Sequence, residues 1–295
     1  MNTDTLKAWV QASRPPFFIA TLVPVTIGWI LGAKDSAWRP GRFFLVVFGS
    51  FLVHLATNLA NDYFDHILGA DAGESIGGSR VIQEGKITPA SLRGALFILY
   101  GLASMVAVYL MSTLHLWAML PLILLALFSS IFYVAPPIRY GYHGLGEVFV
   151  GVNMGPVMML GTYWVIAGRP DWKALYVSLP VGLMVAAILY YQNLPDLKTD
   201  QASGKRTLAV RLGKKNAFVG FIVLWGLIYL SILALILSRH LPWPAIASLL
   251  SIPIVVKVLK LVNGTRNWVE LDQYGKYVRM LYFFIGSVMI VSLLL

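Results

Sequence analysis

Long apolar runs separated by short polar intervals set the pattern of this chain. Residues 15–33 carry no charge and follow directly on Arg14-Pro15-Pro16. A second apolar run covers 43–61, and residues 94–138 contain no Asp, Glu, Lys or Arg at all. A membrane-crossing helix needs about 20 apolar residues, so the last of these is too long for one crossing. Ser112-Thr113-Leu114-His115 offers a turn that divides it into 94–112 and 116–135, and Pro136-Pro137 stops the second half. Further runs cover 148–168, 174–194, 217–238, 241–262 and 278–295. The expectation is an all-α integral membrane protein: one domain over 1–295, a bundle of nine transmembrane helices around a central cavity, with polar loops as caps.

Composition sharpens this. Of the residues, 58% are hydrophobic and only 12% charged, against about 25% charged in soluble domains. There is no cysteine, which excludes disulfides and thiolate metal sites. The first residues, up to Arg14, show no small-residue cleavage site behind a short apolar core, so the first run is expected to be retained. The net charge of +10 could suggest nucleic acid. In a membrane protein, basic residues instead hold loops in the cytoplasm. Alternating nine spans puts most of the 23 Lys and Arg on the side of the N-terminus. That side is therefore expected to be cytoplasmic, the C-terminus outside, and a nucleic-acid partner is not expected. Pro24, Pro121, Pro156, Pro180 and Pro253 fall within spans. Such prolines can kink helices and open a cavity, although proline is common in membrane helices generally.

Acids are scarce, 13 in all, yet five lie between Asn58 and Glu84. Asn58, Asn61 or Asp62, Asp65 and Gly69 are spaced by three or four and share one helical face. Gln192, Asp196 and Asp200 repeat the spacing, as one face of a helix continued past the membrane. Four crossings separate the two sites, which brings both to one side. Each site alone reads as a helix end with solvated acids and capping groups. Two of them on one side point to a shared cation, and oxygen ligands of this kind suit Mg²⁺. Arg80, Lys86, Arg139, Lys205 and Arg206 stand nearby, and carboxylates, Mg²⁺ and bases together match a diphosphate. Gly69, Gly77 and Gly78 would admit backbone N–H groups to its oxygens. Tyr133 and Tyr190 fit either an interfacial belt or the rim of a cavity that shelters a cation. His54 reads as a packed residue. No Walker loop or HExxH competes. A secondary transporter with an intramembrane cation site is the rival class, but it calls for acids at the midplane and an internal repeat.

The segment Asn61-Asp62-Tyr63-Phe64-Asp65, with Gly69, Asp71 and GGSRVIQEGKI, resembles the first aspartate-rich motif of UbiA-superfamily prenyltransferases. Asn193 to Gly213, above all GKRTLAVRLG, is similar to the second motif, and YGYHGLGEVFVG is similar to the 1,4-dihydroxy-2-naphthoate branch of menaquinone synthesis. The resemblance extends over nearly the whole chain. It departs at Gly69, where many members carry a further aspartate, and at Pro195, where the branch leads one to expect a basic residue. It implies Mg²⁺-dependent transfer of a polyprenyl group from polyprenyl diphosphate to an aromatic acceptor, within membrane lipid, in a bacterial or archaeal cell membrane. The acceptor is 1,4-dihydroxy-2-naphthoate or, failing that, 4-hydroxybenzoate, homogentisate, a chlorophyllide or a glycerol phosphate. Asp62, Asp65, Asp196 and Asp200 are then the catalytic metal ligands, with Asp71, Asn58, Asn61, Gln192 and Asn193 as further candidates. Arg80, Lys86, Arg139, Lys205 and Arg206 are expected to bind the diphosphate or the aromatic acid, and Tyr133 and Tyr190 to border the allylic cation.

Overall fold

The computed structural model describes residues 3–70 and 77–295, which are helical without any strand. Helix α1 spans Thr3–Ser13 and is followed by a 3-10 turn at Pro15–Phe17. Then come α2 (Ile19–Lys34), α3 (Pro40–Ile67), α4 (Pro89–Thr113) and α5 (Leu120–Phe132). α6 (Gly146–Val152) runs through a π turn into α7 (Met158–Ala167). α8 is Trp172–Asn193, the short α9 is Leu197–Ala202 and α10 is Leu208–Leu237. α11 (Ile252–Gly264) continues a 3-10 stretch from Trp243, and α12 (Gly275–Leu294) another from Trp268.

Among the described residues seven helical segments are long and apolar enough to cross a membrane. α1 with its following turn and α2, bent by 54° against each other, make an eighth if taken as one span, and Trp117–Phe132 is a shorter apolar helix. The expected boundaries move in three places. The second span does not give way to a loop at Asp62: α3 continues to Ile67, because Asp62 and Asp65 find partners inside the protein. The seventh span does not begin at 217: Thr207 caps Val210 N–H, the helix starts at Leu208, and Gly213 (φ 71°) kinks it. Nor does α8 carry Gln192, Asp196 and Asp200 on one continuous helix. It ends at Asn193, and Pro195, which has no N–H to donate, separates it from α9.

Two packed units and a small third cluster around Leu110, Met119 and Val165 flank a cavity. The larger joins α2, α7, α8, α10 and α12 around Ile27, Met159, Tyr163, Val181, Phe221 and Ile285. The smaller joins α1, α3 and α4 around Ala12, Ala56, Leu59 and Leu92, with Val81 and Tyr142 from the loops. Helix contacts in the larger unit depend on residues without side chains. A Cβ on Gly155 would stand 2.6 Å from Gly182 Cα, and one on Gly182 would stand 2.5 Å from Gly151 O. Small residues let helix backbones meet in this way, where lipid gives no hydrophobic drive to associate.

Gly182→Ala must push two backbones apart and is expected to cost about 1–3 kcal/mol. A Cβ at Gly226 would meet nothing within 4 Å, so Gly226→Ala should be neutral or better. Thermal unfolding in detergent checks the pair: equal midpoints for the two variants would contradict the packing argument.

Candidate active site

A cavity of about 760 Å³ lies among these units, and α3 runs along it. Its polar end is walled by Gln11, Arg14, Asn58, Asn61, Asp65, Gln192, Asn193, Asp196, Lys205 and Arg279. Its other end is apolar, with Leu45, Val46, Leu110, Met119, Leu122 and Val165. Leu45 and Asp65 both line it, so it follows α3 for about 30 Å at 1.5 Å per residue.

Each carboxylate of α3 is held by a cation and a hydroxyl. Asp62 is buried. It pairs with Arg14 in a short charged contact, takes the Ser79 N–H at 3.0 Å and accepts the Ser79 hydroxyl. Arg14 reaches it from a left-handed backbone position (φ 54°) at the break between α1 and α2. Gln11 donates to Ser79 O at 2.7 Å and Asn58 to Ser13 O at 3.1 Å, so α1 is tied down over the motif. Asp65, also buried, accepts the Tyr142 hydroxyl at 2.6 Å and the Lys205 ammonium at 3.3 Å. Lys205 lies 3.8 Å from Asp200 and 5.4 Å above the Tyr142 ring. Burial pulls the Lys205 amine down, but the carboxylates of Asp65 and Asp200 outweigh it and hold the pKa well above the usual lysine value. Arg206 N–H donates to Tyr142 O at 3.0 Å, which docks the second motif's loop on the loop before α6.

The structure therefore brings Asn58, Asn61, Asp65, Tyr133, Gln192, Asn193, Asp196 and Lys205 to one cavity, with Asp62 and Asp200 paired to its lining cations Arg14 and Lys205. Arg80, Lys86, Arg139 and Arg206 do not line the cavity. Lys86 is bound outside to Glu84 at 2.6 Å and Gln11 at 2.8 Å, and Arg139 lies over Tyr142 at 5.6 Å. Tyr190 is packed behind the wall, stacked on Phe221 and donating to Ala217 O; its neighbour Tyr191 lines the cavity instead. Asp71 lies outside the described residues.

Other residues at the site had weaker signals in the sequence. Arg14 and Arg279 are the lining arginines, and Arg14 is readable only as the last charge before an uncharged run. Glu147, buried at the start of α6, accepts the Asn193 amide at 2.9 Å. It is the only acid between Glu84 and Asp171, which is a signal in itself. His54 lines the cavity one turn below Asn58, with Nδ1 2.6 Å from the Thr21 hydroxyl.

The donor chemistry fits a hard divalent cation: carboxylates and amide oxygens, without sulfur or a histidine cluster. Asn61 Oδ1, buried on the wall, has no hydrogen-bond partner among the described residues and is free to ligate. The aspartates do not converge on one point. Among the described residues no three acidic or histidine side chains stand close enough to share an ion, because Arg14 and Lys205 stand against them.

A model of the UbiA prenyltransferase family matches residues 21–269. The 1,4-dihydroxy-2-naphthoate octaprenyltransferase of Escherichia coli K12 is 31% identical over 87% of this chain and 85% of its own length. The 2-carboxy-1,4-naphthoquinone phytyltransferase of Synechocystis sp. is 28% identical over 97% and 92%. A UbiA homolog from Archaeoglobus fulgidus, solved bound to GPP and Mg²⁺, superimposes with a TM-score of 0.65 over 96% of this chain and 99% of that one. At 14% identity that likeness establishes a shared fold.

Removing one member of a buried ion cluster leaves the others uncompensated, at about 3–5 kcal/mol. Lys205→Met should lose stability of this order in detergent, measured by thermal or denaturant unfolding. Lys205→Met/Asp65→Asn should recover much of it, because the two changes are coupled. Additive losses in the double variant would contradict the cluster.

Proposed function

This chain belongs to the UbiA prenyltransferase family, and on that premise we propose that it transfers a polyprenyl group from its diphosphate to an aromatic acid. 1,4-dihydroxy-2-naphthoate, in menaquinone biosynthesis, is the preferred acceptor; several relatives carry that activity in their names. One observation carries the reading. The cavity is polar and charged at one end and apolar along the rest, the character of a diphosphate attached to an isoprenoid tail.

The residues divide the work accordingly. Asp62, Asp65, Asp196 and Asp200, with Asn58, Asn61, Gln192 and Asn193, form the oxygen shell that would hold Mg²⁺; Asp71 belongs to the same motif. Mg²⁺ supplies positive charge against the diphosphate oxygens as negative charge builds on the leaving group. Lys205 and Arg14 lie on the same wall and add fixed cations there. Arg80, Lys86, Arg139 and Arg206 act from outside the wall, as electrostatic attraction for the incoming anion. The allylic C–O bond breaks with its electron pair leaving on the diphosphate. Tyr133, on the wall, presents an aromatic face to the resulting cation. A ring carbon of the acceptor supplies the pair for the new C–C bond. With the naphthoate, the carboxylate leaves as CO₂ and its bonding pair restores the aromatic ring. Enclosure between α1, α3 and the two motif loops keeps water from capturing the cation.

The same reading counts nine crossings in one domain over 1–295. The bent pair of α1 and α2 and the short helix at 117–132 join the seven long segments. The N-terminus and both aspartate motifs face the cytoplasm and the C-terminus lies outside, consistent with the excess of basic residues on the motif side. The tail is drawn from membrane lipid, and nucleic acid is not a partner.

Purified protein should convert labelled polyprenyl diphosphate and 1,4-dihydroxy-2-naphthoate into a lipid product only when Mg²⁺ is present. Asp62→Asn and Asp196→Asn should each lose at least about 100-fold in kcat, the scale of lost charge stabilisation at a reacting centre; Asp196→Asn should keep its thermal midpoint, while Asp62→Asn should also lower it because Arg14 loses its buried partner. Turnover within a few-fold of the parent in either variant would refute the metal-ligand assignment. Product with a different aromatic alone would move the pathway and keep the mechanism.

A further inference from the structure

We infer that Arg279 is the recognition site for the carboxylate of the aromatic acceptor, distinct from the cations that face the diphosphate. This rests on the acceptor being an aromatic acid. The first observation is one of charge matching. Three cationic side chains line the cavity: Arg14, Lys205 and Arg279. Arg14 is paired with Asp62, and Lys205 with Asp65 and Asp200. Arg279 has no acidic side chain within 4.0 Å and no hydrogen bond among the described residues. Asp272 acts on it only at longer range, without a direct ion pair, so the guanidinium on the cavity wall is set up to receive an anion from a ligand.

The second observation is the shape of its niche. The guanidinium lies 5.1 Å from the Phe17 ring centroid. One of its terminal nitrogens, Nη1, lies over Gly275, where a Cβ would be in van der Waals contact at 3.4 Å from Nη1 and 3.8 Å from the Tyr191 ring. Phe17, Tyr191 and Gly275 line the same cavity. The arginine is thus held by a ring face, which leaves the N–H edge of its fork for a carboxylate. The surrounding rings offer flat faces to a planar aromatic. A diphosphate would be placed better by the carboxylate and ammonium cluster of α3 and the second motif, which offers several oxygen donors where this niche has the single carboxylate of Asp272. Asp272 also lines the cavity, with Arg279 about two helical turns further along the chain. It limits how many anions this part of the wall accepts.

The test uses the full-length protein in detergent, with Arg279→Gln and Arg279→Lys. The fluorescent probe 1-hydroxy-2-naphthoate is titrated without prenyl donor. The parent should bind it, Arg279→Gln should bind at least about tenfold more weakly, and Arg279→Lys should fall between, because a bidentate charged contact is lost or reduced. In turnover, Arg279→Gln should raise KM for the naphthoate acid by a similar factor. KM for polyprenyl diphosphate and for 1,4-dihydroxynaphthalene, which lacks the carboxylate, should stay unchanged. That unchanged pair also shows that the variant is folded. Equal probe affinity for Arg279→Gln and the parent would overturn the inference. So would a rise in KM that falls on the diphosphate. If the parent bound the probe through Arg279 yet transferred no prenyl group to any aromatic acid, the carboxylate site would stand and the proposed reaction would fall.

Discussion

The structure depends on compensating buried carboxylates inside a helix that otherwise sits in lipid. Asp62 and Asp65 occupy the last two turns of α3, both buried. An unpaired carboxylate there would cost several kcal/mol. Each is met by a cation from elsewhere in the sequence, Arg14 from the α1–α2 break and Lys205 from the second motif. Each also takes a hydroxyl, from Ser79 or Tyr142. These contacts fix the cap. The bend between α1 and α2, the loop around Ser79, the segment before α6 and the loop before α10 all converge on two side chains of α3.

That convergence explains why fold and site are hard to separate. The groups that would serve a diphosphate and its metal are the groups that hold the loops in place. Lys205 neutralises Asp65 and Asp200 while standing on the cavity wall, and Arg14 does the same for Asp62 beside Gln11. A ligand carrying both phosphate and divalent cation offers each side a new partner at once: oxygen for the cations, metal for the carboxylates. Exchange of partners then keeps the local charge balanced, and no charge is left buried alone.

What the sequence made legible follows from what is periodic and local. Apolar runs located nearly every helix. The three-and-four spacing placed Asn58, Asn61 and Asp65 on one face, and all three line the cavity. What was missed is partly local and partly non-local. Gly213 and Pro195 break helices that the apolar pattern would begin late or prolong, and both could have been weighed from residue type alone. The α3 helix runs on past Asp62 because Ser79, 17 residues later, reaches back to it, and no local pattern encodes that. Among the basic residues, positive charge near a motif was a poor guide to position. Lys86, two residues from Glu84, pairs with it. Arg279, 66 residues beyond the end of the second motif at Gly213, lies on the wall.

Position also separates this protein from an ion-coupled carrier. A carrier holds its cation at the midplane, where the site can open to either side. Here the acids occupy one end of α3 and the residues just beyond α8, while the deep part of the cavity holds Leu45, Leu110, Met119 and Val165. An ion released into that apolar end would lose its hydration without gaining a ligand. The cavity is thus closed to ion passage by its own chemistry and suited to a molecule that is charged at one end only. Such a molecule enters with its tail in a phase like the bilayer and its head against the cations.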